Sequence, residues 1–252
     1  MSEQLPINPV GLEPPHAAGN RNIFLLKRRL VKEATLAVSM LEGAIAAMFS
    51  MDPAAARAVR VSDDQVDTEE VAIEQECYQI LALRAPYARD FRALTFILRV
   101  NADVERVADH ASSLAKCAGK IADAAAGTVP AWPTALRELG ERVPLLCHQT
   151  LRAMLDEDVE AARKIVESDR VIDTLEKRLF EETIESMKGG PNDDANLTIG
   201  LLFYRAGREL ERVGDLMASI AEDTVYLATG EIIRHAKRRG RLRSPSPPGS
   251  QP

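Results

Sequence analysis

Two pairs of carboxylates recur in the sequence with the same spacing. Glu105 and Asp109 stand at i and i+4, and Glu211 and Asp215 repeat that arrangement. On an α-helix, side chains at i and i+4 project from one face, so each pair would place two anions one above the other. Oxygen ligands that project from facing helices suit Mg²⁺, Mn²⁺, Ca²⁺ and iron. The spacing therefore predicts a carboxylate metal site at each pair.

An acidic stripe precedes each pair, with carboxylates at i, i+4 and i+7. Its members are Asp63, Asp67 and Glu70 before the first pair, and Asp169, Asp173 and Glu176 before the second. Asp103 and Glu209 lie two positions before the pairs and would join a broad site. If antiparallel helices bring these faces together, about five carboxylates converge and repel one another unless they are protonated, paired or metal-bound. The candidate metal ligands are Asp63, Asp67, Asp103, Glu105, Asp109, Asp169, Asp173, Glu209, Glu211 and Asp215.

Two other interpretations of these acids stay open. The first is a helical scaffold without metal, whose solvated acidic faces pair with bases such as Arg106 and Arg212. The second is a carboxylate-bridged di-metal enzyme. Against it, no His stands at Glu-x-x-His spacing with these acids, and His110 is expected to be an ordinary polar residue. There is no Gly-rich phosphate loop, no Gly-x-Ser-x-Gly motif and no Cys with an obvious His partner, so we expect no catalysis.

The composition predicts helices as the elements that position these acids. Hydrophobic residues make up 46% of the 252 residues and aromatic residues only 4%, which favours helices over strands in a chain rich in Ala, Leu, Glu and Arg. Apolar residues at i, i+3, i+4 and i+7 predict six amphipathic helices, with breaks such as Asp52-Pro53. They span residues 21–50, 53–84, 87–125, 132–155, 158–188 and 195–236.

An internal repeat organises these helices. Residues 52–68 align without a gap on residues 158–174, an offset of 106 positions. The same offset places residues 101–111 over 207–217, so that Glu105 matches Glu211 and Asp109 matches Asp215. Each copy holds three helices, and short connectors make successive helices antiparallel. We therefore expect an all-α protein of two tandem three-helix bundles, a first unit at 21–127 and a second unit at 128–236.

The two ends of the chain and its net charge limit the classes of function that we expect. Residues 1–20 and the basic, Pro/Ser-rich tail 237–252 are expected to be disordered. The net charge is −6 although five cations lie within the tail, and so acidic a body disfavours nucleic-acid binding. We expect no signal peptide and no membrane span, and three scattered cysteines suit a cytoplasmic protein. The tail would touch, at most, anionic lipid or an acidic partner.

Four strings resemble the PhoU family. DVERVAD (103–109) and ELERVGD (209–215) are similar to its paired Glu-Arg-Ile-Gly-Asp signatures, which contain a Glu/Asp-x-x-x-Asp motif. PYARDFR (86–92) resembles its Pro-x-x-x-Asp-Leu-Arg segment, and DRVID (169–173) its helix 2 pattern. The resemblance covers residues 22–232. The sequence departs from the family at Ala108, where the signature has Gly, at Ser113 and Ser219, in the absence of a second Pro-x-x-x-Asp-Leu-Arg segment, and in the tail.

The resemblance implies a non-enzymatic, metal-binding adaptor of phosphate homeostasis. Such a protein represses the phosphate-starvation response, a form of transcription regulation, by acting on a phosphate ABC transporter ATPase and a sensor histidine kinase. The implied cofactors are divalent or ferric ions held by the carboxylates: iron, manganese or magnesium. A homodimer and peripheral membrane association through partners or the basic tail would also be compatible with it.

Overall fold

The computed structural model describes residues 15–189 and 194–233, and every regular element among them is an α-helix. The all-α prediction is therefore confirmed. The helices are α1 (Pro15–Ser50), α2 (Pro53–Val61), α3 (Asp63–Arg84), α4 (Ala88–Ala124), α5 (Thr134–Asp156), α6 (Val159–Gly189) and α7 (Asp194–Thr229). α1 begins within the segment 1–20 that was expected to be disordered. The basic tail lies outside the described residues.

The single helix predicted at 53–84 is wrong, because the chain divides at Ser62 into α2 and α3. Ser62 keeps helical angles (φ −75°, ψ −14°), and its N–H donates to the Val59 carbonyl at 3.1 Å. The break is thus a tightened turn. Asp63 and Asp64 follow it as the first turn of α3, where acidic side chains complement the helix dipole. In the second unit, α6 runs through the equivalent position without interruption.

The last helix ends earlier than predicted. The expected span was 195–236, whereas α7 stops at Thr229 and residues 230–233 are not helical. Gly230 has a φ of +78°, and its N–H donates to the Tyr226 carbonyl at 2.8 Å. A left-handed glycine that satisfies a carbonyl of the last turn is a common helix stop.

The connector after the first helix of each unit has the same conformation in both units. Met51 and Glu157, which are 106 positions apart, both have left-handed angles, with φ of 57° and 48°. Each is followed by an aspartate that caps the next helix: Asp52 accepts from the Ala54 and Ala55 amides, and Asp158 accepts from two amides at the start of α6. The duplication read from the sequence is therefore present in the backbone.

The two units share one core. α4 packs against α7, and buried side chains from every helix join a single hydrophobic cluster. Arg99 pairs with Asp223 at 3.3 Å, and further along His110 meets Glu209 at 2.8 Å, so α4 and α7 run antiparallel. Of the described helices, none is long and apolar enough to cross a membrane.

Candidate metal-binding site

Three of the carboxylates that were predicted to converge in the second unit lie close together. Oxygen atoms of Asp173 on α6 and of Glu211 and Asp215 on α7 all lie within 4.8 Å of one another. Asp173 and Glu211 are half-buried, whereas Asp215 is exposed. Three anionic oxygens that face solvent on one side offer a partial coordination shell that water would complete around a hard cation.

Glycines on α7 allow this approach. Gly200, Gly207 and Gly214 recur at i, i+7 and i+14 and face α6. A Cβ at Gly214 would lie 3.1 Å from Cγ2 of Ile172, the residue next to Asp173. The backbone of α7 therefore packs directly against α6, which holds the Asp173 carboxylate beside the two carboxylates of α7.

The electrostatics of Glu211 suit a cation. Burial, then the neighbouring Asp215, raise the pKa of Glu211, and Arg208 opposes them. Arg208 Nη1 lies 3.2 Å from Glu211 Oε1, while the buried Oε2 atom has no hydrogen-bond partner among the described residues. As far as the described residues show, one oxygen of Glu211 is thus paired and the other is available to a ligand.

Glu176, the third member of the α6 stripe, is engaged by other groups. Tyr204 donates a hydrogen bond to its Oε1 at 2.9 Å, and Arg208 lies 3.6 Å from the same oxygen. The Oε1 atom of Glu176 is therefore occupied by Tyr204 and Arg208, and Glu176 is not one of the three converging carboxylates. The side chain of Asp169 lies outside the described residues, so its predicted place among the ligands stays a prediction.

The acids of the first unit lie near one another, but their carboxylate oxygens are farther apart than those of Asp173, Glu211 and Asp215. Burial raises the pKa of Glu105 first, and Asp109, Asp67, Glu70 and Asp63 raise it further. Within the described part of the chain, however, only the second unit has three carboxylates within 4.8 Å. Asp67 is exposed where its counterpart Asp173 is half-buried.

A difference in side-chain size accompanies this difference between the units. In place of the three glycines of α7, the first unit has larger residues on α4: Leu94, Asn101 and Ala108. Helix α4 therefore cannot present bare backbone to its neighbour as α7 does, and we attribute the wider spread of the first-unit acids to this.

Asp63 retains one feature of a ligand. Burial raises the pKa of its carboxyl, a hydrogen bond from Ser112 lowers it, and Asp109 and Asp67 raise it again. Its Oδ1 atom is buried without a partner among the described residues. The first unit therefore also fits a cation, although its carboxylates would have to draw together around it.

Asp103 and Glu209, which were predicted to be metal ligands, form contacts between α4 and α7 instead. Asp103 accepts a hydrogen bond from Ser219 at 2.9 Å, and Glu209 meets His110 at 2.8 Å. Burial would raise the pKa of Glu209, but the hydrogen bond and the charge of His110 outweigh it and lower that pKa. These acids join α4 to α7 because a shift of two positions turns a side chain to another helix face.

Sequence reasoning missed one acid, Glu33 on α1. It is only 2% exposed, and burial, then Glu69 and Glu70, raise its pKa to about 8. The internal repeat contains the signal that would have found it, because Leu139 occupies the equivalent position in the second unit.

Known proteins are similar to this chain in sequence and in fold. The PhoU domain family matches residues 30–118 and 136–224. The phosphate-specific transport system accessory protein PhoU homolog of Burkholderia sp is 32% identical over 192 residues, 76% of this chain and 80% of that protein.

Two crystal structures are also similar. PhoU from Pseudomonas aeruginosa has a TM-score of 0.79 at 29% identity, covering 84% of this chain and 99% of the other. The phosphate transport system regulatory protein PhoU from Streptococcus pneumoniae has a TM-score of 0.76 at 26% identity, covering 85% and 98%. With two matched domains that coincide with its two structural units, this chain belongs to the PhoU family.

Proposed function

We propose that this protein is a non-enzymatic accessory and regulatory protein of a phosphate-specific transport system. The observation that carries the proposal is the match of two PhoU domains, one on each unit of the repeat. The names of the similar proteins, an accessory protein of phosphate-specific transport and a phosphate transport regulator, support the same role. Its partners would be the transporter ATPase and a sensor histidine kinase, both reached from the cytoplasm, and its effect would be to repress the phosphate-starvation response.

Metal binding is the chemistry that the site supports within this role. Asp173, Glu211 and Asp215 would hold a divalent or ferric ion. The Oε2 atom of Glu211, for which the described residues offer no hydrogen-bond partner, favours this. The corresponding ion in the first unit would be held by Asp63, Asp67, Glu105 and Asp109. An ion bound between α6 and α7 would neutralise mutual repulsion and link the two helices. The surface offered to partners would then depend on whether metal is present.

Deletion in the source organism tests the regulatory role. At high phosphate, loss of the gene should raise expression of phosphate-scavenging genes, and the intact gene supplied in trans should restore repression. A copy carrying Asp173→Asn, Glu211→Gln and Asp215→Asn tests whether the site is required. Unchanged expression after deletion would contradict the proposal.

Affinity purification tests the partners. The tagged protein should retain the transporter ATPase or the histidine kinase from phosphate-rich cells. A matched bait carrying the three substitutions shows whether retention needs the metal site. If neither partner is retained by the intact protein under any phosphate condition, the adaptor mechanism fails.

A further inference from the structure

Two buried polar side chains of the first unit, Glu33 and Asn101, have oxygen atoms without a hydrogen-bond partner among the described residues. Glu33 on α1 is 2% exposed, and neither of its carboxylate oxygens has a hydrogen-bond partner among the described residues. Asn101 on α4 is 1% exposed; its Nδ2 donates to the Glu70 carbonyl at 2.9 Å, but its Oδ1 has no partner within the part of the chain that the structure describes. Such orphaned acceptors are uncommon in folded proteins and call for an explanation.

The negative charges around Glu33 disfavour the ionised form of its carboxyl group. Glu69, Glu70 and Glu105 each raise the pKa of Glu33, and Arg29 is the cation that opposes them. Arg29 is already engaged, with hydrogen bonds to Glu69 at 2.7 Å and to Glu76 at 2.8 Å. An ionised Glu33 would therefore need another positive charge beside it.

The second unit shows that the fold does not require this polar pair. At the offset of 106, Glu33 corresponds to Leu139 and Asn101 to Gly207. Leu139 is fully buried, and its Cδ1 lies 3.6 Å from where a Cβ on Gly207 would be. The two positions thus face each other across the first and last helices of a unit. In the second unit they meet as an apolar contact. The repeat places two oxygen-bearing side chains, Glu33 and Asn101, at the matching positions of the first unit.

We propose that Glu33 and the Oδ1 of Asn101, together with Glu105 one turn further along α4, bind a hard divalent cation that the second unit has no place for. All three contribute oxygen atoms, the ligands that Mg²⁺ and Mn²⁺ prefer. The proposal rests on the metal-binding role of the protein and adds to it a ligand from α1 and an asymmetry between the units. The bound ion joins α1 to α4 in the first unit only.

Metal content of full-length variants tests this, with Mn²⁺ as the probe. Each protein is dialysed against excess Mn²⁺, and bound manganese per chain is measured by elemental analysis and by titration calorimetry. Glu33→Leu, which installs the second-unit residue, should lose one bound Mn²⁺ or weaken that binding at least tenfold. Glu33→Gln keeps the volume and should show the same loss, which covers the possibility that the leucine variant does not fold.

Two controls separate this proposal from the general metal site. Glu42→Gln removes the same charge from an exposed position on α1, where Glu42 pairs with His148, and should leave bound Mn²⁺ unchanged. Asp173→Asn with Glu211→Gln should remove second-unit metal and retain the Glu33-dependent ion. If both Glu33 variants bind as much Mn²⁺ as the unaltered protein, Glu33 is only a buried neutral acid and the proposal is overturned, while the second-unit variant still reports on the general site.

Discussion

Gly207 of α7 faces Leu179 of α6 so closely that a Cβ at position 207 would collide with Leu179 Cδ2. Leu179 is fully buried, so its side chain has little room to move aside. The contact lies one turn before Glu211 and thereby sets how near the metal-ligand face of α7 comes to α6.

We expect Gly207→Ala to lower the free energy of unfolding by about 1–3 kcal/mol, the usual cost of overpacking. Gly119 on α4 is the matched control, because a Cβ there would meet nothing within 4 Å. Gly119→Ala should raise the same quantity by roughly 0.5–1 kcal/mol, since alanine is the better helix former. Urea denaturation of both variants measures the difference. Stabilisation of similar size in the two would show that Leu179 yields easily.

Removing the charges of Glu211 and Asp215 should change stability with opposite sign in the absence and presence of metal. With chelator, Glu211→Gln with Asp215→Asn relieves repulsion and should stabilise by a few tenths of a kcal/mol or more. With Mn²⁺ at about a hundred times its dissociation constant, the unaltered protein gains about 2.7 kcal/mol and should melt higher. Thermal melts of both proteins in both conditions provide the measurement. A solvated acidic face would give small, salt-screened changes that never reverse order.

Glu209 and Glu211 are two positions apart, and we expect them to have different roles. Glu209 should stabilise the fold, and Glu211 should bind metal. Glu209→Gln weakens the charge-assisted contact with His110 and should cost about 1–3 kcal/mol at neutral pH. The lowered pKa of Glu209 means that this contribution is present above the unfolded-state pKa and is lost as the pH falls through the folded-state value. Bound metal should be unchanged in Glu209→Gln and reduced in Glu211→Gln. Elemental analysis of the two variants measures the bound metal. Loss of metal in both variants would show that Glu209 is also a metal ligand.

Glu33 should make the metal-free protein less stable as the pH rises. Its pKa in the folded protein is about 8, well above its ordinary value of 4.5, so the folded state holds the proton more tightly than the unfolded state. The free energy of unfolding should therefore fall between about pH 5 and pH 8, by on the order of a few kcal/mol. Urea denaturation in chelator at several pH values measures this slope, and Glu33→Gln should flatten it. Equal slopes in the two proteins would contradict the assignment.

The sequence by itself determined the helical class, the duplication and the spacing of the acids. Apolar residues at helical intervals report which face of each segment is buried, and a repeat at a constant offset needs only comparison of the chain with itself. The pairing of Glu211 with Asp215 on one face follows from the helix period alone. The break at Asp52-Pro53 is equally local, and the structure confirms it.

Only the tertiary structure decided which of these acids meet. Asp173 joins Glu211 and Asp215 because glycines let α7 lie against α6, whereas the first unit has larger side chains at those positions and its acids spread. Asp103 and Glu209 form contacts across the two units. The burial of Glu33, without a hydrogen-bond partner among the described residues, depends on helices far apart in the chain. Helical periodicity gives the direction of a side chain on its own helix. The distance to another helix, and hence the convergence of charges, is set by how side chains of different sizes pack between them.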